Sequence, residues 1–148
     1  MGLVKKKIKH TALSWDQEYK THVDLLKLLC DELSDEKTTN IDVFMVCLGI
    51  GFKIRNDIKF VRRAPTGGND VGAIGFINPY QQAIMYAIAL VDTDDSDVLL
   101  EDDEIYYISE KYAAMGLMYI DDLIKSGKNL KIELENLTLA EYKKSLNL

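Results

Sequence analysis

The sequence predicts a mostly α-helical, single-domain protein of about five helices, with room for a short β-hairpin in the 54–77 connection. Three stretches carry that expectation. The first is IYYISEKYAAMGLMYIDDL, from Ile105 to Leu123. There Ile105, Ile108, Tyr112, Met115 and Tyr119 recur at steps of three and four, and Tyr106, Ala113, Leu117, Ile120 and Ile124 fill an adjacent face. A helix apolar over so much of its surface is buried on several sides or docked on a partner. The second stretch, Ile41 to Lys53, is almost as apolar. The third opens with Asn78-Pro79 and has Gln81 three residues past the Asn: an N-cap, then Pro at the first helical position.

In chain order, residues 1–13 read as an extended basic arm and residues 14–148 as one helical domain. Ser14 offers an N-cap with Gln17 completing a capping box, so a first helix is expected from Trp15 to Leu33. Thr39 or Asn40 caps the second helix. Its stripe is Ile41, Phe44, Met45, Leu48 and Phe52, widened by Val43, Val46, Cys47 and Ile50. Gly49 and Gly51 would each cost this helix about 1 kcal/mol relative to Ala. With Gly116 in the last long helix, they predict that the two helices pack closely through glycine.

Residues 54–77 are irregular, with a turn at PTGGND and apolar pieces that can pair as short strands. The third helix should run to Val91, burying Ala83, Ile84, Ala87, Ile88 and Val91. The segment DTDDSDVLLEDDE is an acidic approach to the fourth helix, Asp103 to Lys125, where carboxylates suit the helix dipole. Asp42 suits the first turn of the second helix for the same reason. Ser126-Gly127 ends the fourth helix. The tail contains LKIEL, then Thr138 and Glu141 in a capping arrangement before a short last helix.

Hydrophobic content of 47% and charged content of 28% are those of an ordinary globular domain. The longest strictly apolar run, Ala83 to Val91, is well short of the ~20 residues that span a bilayer. The start MGLVKKKIKH lacks the apolar core of a signal peptide, and Lys6 stands where a myristoylation signal has Ser or Thr. The expected location is cytoplasmic, with no membrane partner.

Chemistry-bearing motifs are scarce. Cys30 and Cys47 lie in apolar helical patterns and read as small buried hydrophobes. With His10 and His22 they have no zinc-ligand spacing. A calcium loop fails because Asp97 stands where glycine is required. No nucleophile elbow, phosphate loop or H-E-x-x-H is present. No cofactor and no catalytic residue are expected.

Charge is unevenly placed within a net of −6. Residues 1–63 carry 12 Lys and Arg against 9 Asp and Glu, and residues 64–148 carry 6 against 15. Two basic clusters can neutralise phosphates: Lys5, Lys6, Lys7 and Lys9 in the arm, and Lys53, Arg55, Lys59, Arg62 and Arg63 after the second helix. The bland reading of both is a solvated tail and a solvated loop. Tyr106, Tyr107, Tyr112 and Tyr119 along the fourth helix are candidates for a partner interface. The competing reading makes that helix the core and its tyrosines interior filling.

Three segments in order resemble a known family. They are NIDVFMVCLGIGFKIRNDI, AIALVDTDDSDVLLEDDE and IYYISEKYAAMGLMYIDDLI. The last is similar to a closing signature in which Glu110, Tyr112, Ala113, Gly116 and Leu117 hold the matching positions. The resemblance is to the DNA phosphorothioation (Dnd) system-associated protein 4 family and covers Leu25 to Leu123. The chain departs from it at Met115-Gly116, where a paired glycine is expected, and in a more glycine-rich 58–77 loop. The resemblance implies a setting of DNA modification or antiphage defence and supplies no reaction. The resulting expectation is a non-enzymatic accessory subunit of a bacterial system. It would act by docking larger proteins, as a homo- or hetero-oligomer, with non-specific DNA contact through the arm and basic segment. The alternatives are a direct DNA-binding protein using residues 53–63, and a Mg²⁺-dependent nuclease or hydrolase built on the acidic clusters.

Overall fold

The structure, a computed structural model, describes residues 12–15, 17–33, 37–57 and 69–145. In chain order these form β1 (Ala12–Trp15), a 3-10 turn at Gln17–Tyr19, α1 (Lys20–Leu33), α2 (Asn40–Lys53) and β2 (Asn69–Ala73). A 3-10 turn at Ile74–Phe76, α3 (Pro79–Thr93), a 3-10 segment at Ser96–Leu100, α4 (Asp102–Lys125) and α5 (Leu130–Ser145) follow. The architecture is a mostly α domain of five helices with one two-stranded antiparallel sheet among the described residues.

The apolar circumference of α4 places it at the centre. Ile105, Tyr106, Ile108, Tyr112, Met115, Leu117, Ile120 and Leu123 are all buried. Its main neighbour is α2, and the two backbones touch. A Cβ on Gly116 would lie 2.8 Å from the Cys47 carbonyl carbon, and one on Gly51 would lie 2.7 Å from that of Tyr112. Both would overlap atoms that cannot rotate away, so only hydrogen fits at either position. Gly49 does not share this crossing. It is exposed, and no described atom lies within 4 Å of its Cβ position. Two residues along a helix is a turn of about 200°, which puts Gly49 on the far side from Gly51.

Local signals fix the helix starts. Thr39 and Asp42 exchange hydrogen bonds of 3.2 and 3.0 Å in a capping box that opens α2. Asn78 and Gln81 do the same at 2.9 and 3.0 Å for α3, with Pro79 at its first position. Around the α2–α4 pair, Leu13, Trp15, Val23, Leu26 and Met85 complete the core.

Several expectations are corrected. The first helix begins at Lys20, not Trp15, because Ala12–Trp15 is a strand. Ser14 is therefore not an N-cap. Leu13 and Trp15, two residues apart, point inward together, which is the period of a strand. Leu13 is fully buried, so the body of the fold already includes the end of the proposed arm, and residues 1–11 lie outside the described residues. Among the described residues of the 54–77 connection, β2 pairs antiparallel with β1, with Leu13 opposite Gly72 and Ser14 opposite Asp70. The skipped residue, Val71, makes a bulge. The tail forms one continuous helix, α5, without an internal break.

Candidate functional site

Polar residues of a surface helix ordinarily face water. In α3, Gln81, Tyr86 and Asp92 instead bond to neighbouring helices. Gln81 Nε2 donates to Asp42 Oδ1 of α2 at 3.3 Å. Gln82 Nε2 donates to the Tyr86 hydroxyl at 3.0 Å, and that hydroxyl donates to Asp102 Oδ1 of α4 at 3.0 Å. Asp92 Oδ1 accepts the Tyr112 hydroxyl of α4 at 2.6 Å. Burial, and then the Asp102 carboxylate, push the Tyr86 phenol above its ordinary value, so it stays a donor at neutral pH. Between these polar flanks Met85, Ile88 and Ala89 enter the core.

The opposite face of α3 is apolar and open to solvent. Tyr80 is 84% exposed, Ile84 49% and Val91 57%, with Ala83, Ala87 and Leu90 also exposed beside them. Tyr80, Ile84, Ala87 and Val91 fall within a narrow sector of the helix, by their spacings of four, three and four. This reverses the expected orientation: of the five residues assigned to the buried face, only Ile88 is buried. The face ends at Asp94, in the left-handed conformation with φ of 50°, followed by the exposed Asp95 and Asp97. Asp95 Oδ1 accepts the Asp97 amide at 3.0 Å and so opens the 3-10 segment. The sequence does carry a signal for this face. Nearly every residue of α3 apart from Gln81, Gln82, Asp92 and Thr93 is apolar, more than one buried side requires.

The titratable clusters elsewhere join elements together. Glu110, buried in α4, accepts the Ser14 amide of β1 at 2.7 Å, beside the bulge. His22 of α1 lies with Nε2 2.9 Å from Asp121 Oδ1 of α4. A carboxylate only accepts, so Nε2 carries the proton. Lys125 reaches the other oxygen at 2.8 Å, and Tyr19 stacks on the His22 ring. Burial raises the Asp121 carboxyl, but the hydrogen bonds from Lys125 and His22 outweigh it and hold the group below its ordinary value. Burial also pushes the Cys47 thiol far up, leaving it inert. Among the described residues no group of three or more His, Cys, Asp and Glu could hold a metal ion.

A cleft of about 590 Å³ opens between the start of α2 and β2. Thr38, Ile41 and Val71 are its buried lining residues, and Lys27, Lys37 and Phe76 line it as well. Lys27 donates to Asn40 Oδ1 at 3.2 Å, and the Thr38 amide to Asp31 Oδ1 at 2.7 Å.

Of the basic candidates, Lys5, Lys6, Lys7, Lys9, Lys59, Arg62 and Arg63 lie outside the described residues. Lys53 and Arg55 are exposed at the C-terminal end of α2. Lys53 Nζ donates to the Leu137 carbonyl at 3.2 Å, and the Arg55 guanidinium sits 4.0 Å over the Phe52 ring. The tyrosines of α4 do not form one outward surface. Tyr106 and Tyr112 are buried in the core, Tyr119 is half-buried, and Tyr107 alone of the four is exposed. The central position of α4 turns them inward.

No helix among the described residues is long and apolar enough to cross a membrane. A family model described as DNA sulphur modification system-associated protein 4 matches residues 18–147. No curated protein and no solved structure matches the chain.

Proposed function

The chain belongs to the DNA sulphur modification system-associated protein 4 family, and from that premise we propose that it is a non-enzymatic accessory subunit that works by assembly with other proteins. The observation that carries this reading is the outer face of α3. Gln81, Tyr86 and Asp92 bond to α2 and α4, and what the helix offers outward is an apolar strip. A folded protein gains by covering such a strip, at roughly 25 cal/mol per Å² of apolar surface removed from water. The positions of Glu110, His22 and Asp121 support the same reading, since each joins two elements of the fold.

The test is coexpression of the tagged chain with the other protein components of a sulphur modification system. Wild type should retain a component through purification. Ile84→Glu should lose it while keeping its melting temperature, because Ile84 is half exposed. Equal retention by the variant would remove α3 from the assembly surface, and no retention by wild type would refute the accessory reading.

A further inference from the structure

Resting on that assembly reading, we infer that the outer face of α3 seats a cationic amphipathic helix supplied by another protein. The apolar stripe of that helix lies on Ile84 and Val91, and its Lys or Arg residues lie over the carboxylates around them. Charge selects this occupant. From Ala64 to Glu110 the sequence has no Lys, Arg or His. The C-terminal end of the face carries Asp94, Asp95 and Asp97, all exposed, and among the described residues no cation pairs with any of them. The helix dipole adds to this excess. α2 and α4 each place a lysine in the last turn, Lys53 and Lys125, against the negative end of the dipole, whereas the last turn of α3 has no basic residue.

The N-terminal half of α3 carries no compensating surplus of cations. Asp42 and Asp102 flank it, bonded to Gln81 and Tyr86, and Lys27 and Lys37 of the cleft stand close to Asp31. A second copy would therefore set carboxylates against carboxylates in either direction, and the phosphates of a nucleic acid would meet the same charge. A partner helix with Lys or Arg on both sides of an apolar stripe is matched along the whole face. The shape of the face agrees. From Tyr80 to Val91 the strip is about 16 Å long, roughly three turns of a docked helix. The exposed Ala83 and Ala87 leave relief beside Ile84 into which a ridge of side chains can pack. Tyr80, 84% exposed, offers a ring that a Lys or Arg can cover.

Titration calorimetry of the full chain with a synthetic peptide of about five helical turns tests this. The peptide has a leucine stripe at steps of three and four, with lysine on both sides. One control peptide has glutamate in place of lysine, and another has the same residues in an order without a stripe. The lysine peptide should bind, more weakly as salt is raised, and neither control should. Ile84→Ser should weaken that binding by about tenfold at an unchanged melting temperature, and Leu28→Ser, on the exposed side of α1, should leave it unaltered. Asp94→Asn, Asp95→Asn and Asp97→Asn together should also weaken it. Asparagine tolerates the left-handed turn at position 94 and keeps an acceptor at position 95. No binding of the lysine peptide, equal binding of either control, or loss on Leu28→Ser overturns the inference. So does an affinity that survives Ile84→Ser or the triple change. A dimer of the isolated chain that Ile84→Ser dissociates would seat a second copy there and overturns it too. A system component lost on Ile84→Glu but retained by the triple variant overturns the cationic partner alone and leaves the assembly reading standing.

Discussion

One methyl group separates the three helical glycines of this fold. At Gly116 it would overlap the Cys47 carbonyl, and at Gly51 the Tyr112 carbonyl, whereas at Gly49 it would enter open space. Gly116→Ala should therefore cost about 1–3 kcal/mol or more, since the clash is with backbone. Gly49→Ala should stabilise by about 0.5–1 kcal/mol through helix propensity alone. Urea denaturation of the two variants checks both signs, and a loss on Gly49→Ala would show a neighbour at that face. The sequence announces that these glycines are costly, but it separates them only by helical phase. Gly51 continues the stripe Phe44, Cys47, Leu48, and Gly49 falls off it. Asp121 makes a second prediction at this scale. Its folded carboxyl is held below the ordinary 3.8, so the unfolded chain binds more protons as pH falls through that region. The stabilisation is fully present above about pH 5 and drains as pH drops toward the folded value. Asp121→Asn should lower stability at neutral pH and flatten the acid limb below pH 4 relative to wild type. Parallel curves for the two proteins across that limb would show that His22 and Lys125 do not hold the group.

Element by element, legibility depended on whether a signal was local. The capping boxes of α2 and α3 are written within four residues, and both are formed in the structure. The strand β1 is a long-range feature, because its partner lies in a different part of the chain. Its alternation, Leu13 and Trp15 inward, is too short to outweigh a plausible N-cap at Ser14. The outward face of α3 is illegible for a different reason. Ala83, Ile84, Ala87 and Val91 have the right spacing for a buried face, and so do Met85, Ile88 and Ala89. Tyr86 and Asp92 side with the second set, through bonds to Asp102 and Tyr112. Periodicity cannot show partners. If these bonds set the rotation of α3, Asp92→Asn and Tyr112→Phe should be non-additive. A double-mutant cycle should give a coupling of about 0.5–3 kcal/mol, and additivity would assign the orientation to packing alone.

Across the whole molecule, the residues of the closing family signature are interior. Glu110, Tyr112, Ala113, Gly116 and Leu117 are all buried in α4, where they build the crossing with α2 and hold β1. What they specify is a core, which is why the fold is legible from them and the outward face of α3 is not. That core is uneven. The α2–α4 pair joins backbone to backbone, while α5 adds the buried Leu130, the half-buried Leu134 and an exposed ion pair from Lys131 to Glu32 at 3.8 Å. Exposed pairs of this kind contribute about 0–1 kcal/mol. Of the described side chains, opening α5 uncovers Leu130 and Leu134, whereas opening α4 uncovers most of the core. Native-state hydrogen exchange should show this as two tiers. The amides of α2 and the middle of α4 should exchange only through global unfolding, and those of α5 through a local opening of lower free energy. Gly116→Ala should reduce protection in α2 and α4 by the same amount and leave α5 unchanged. Protection in α5 equal to that in α4, or falling with it in the variant, would show that the fifth helix folds as one unit with the crossing.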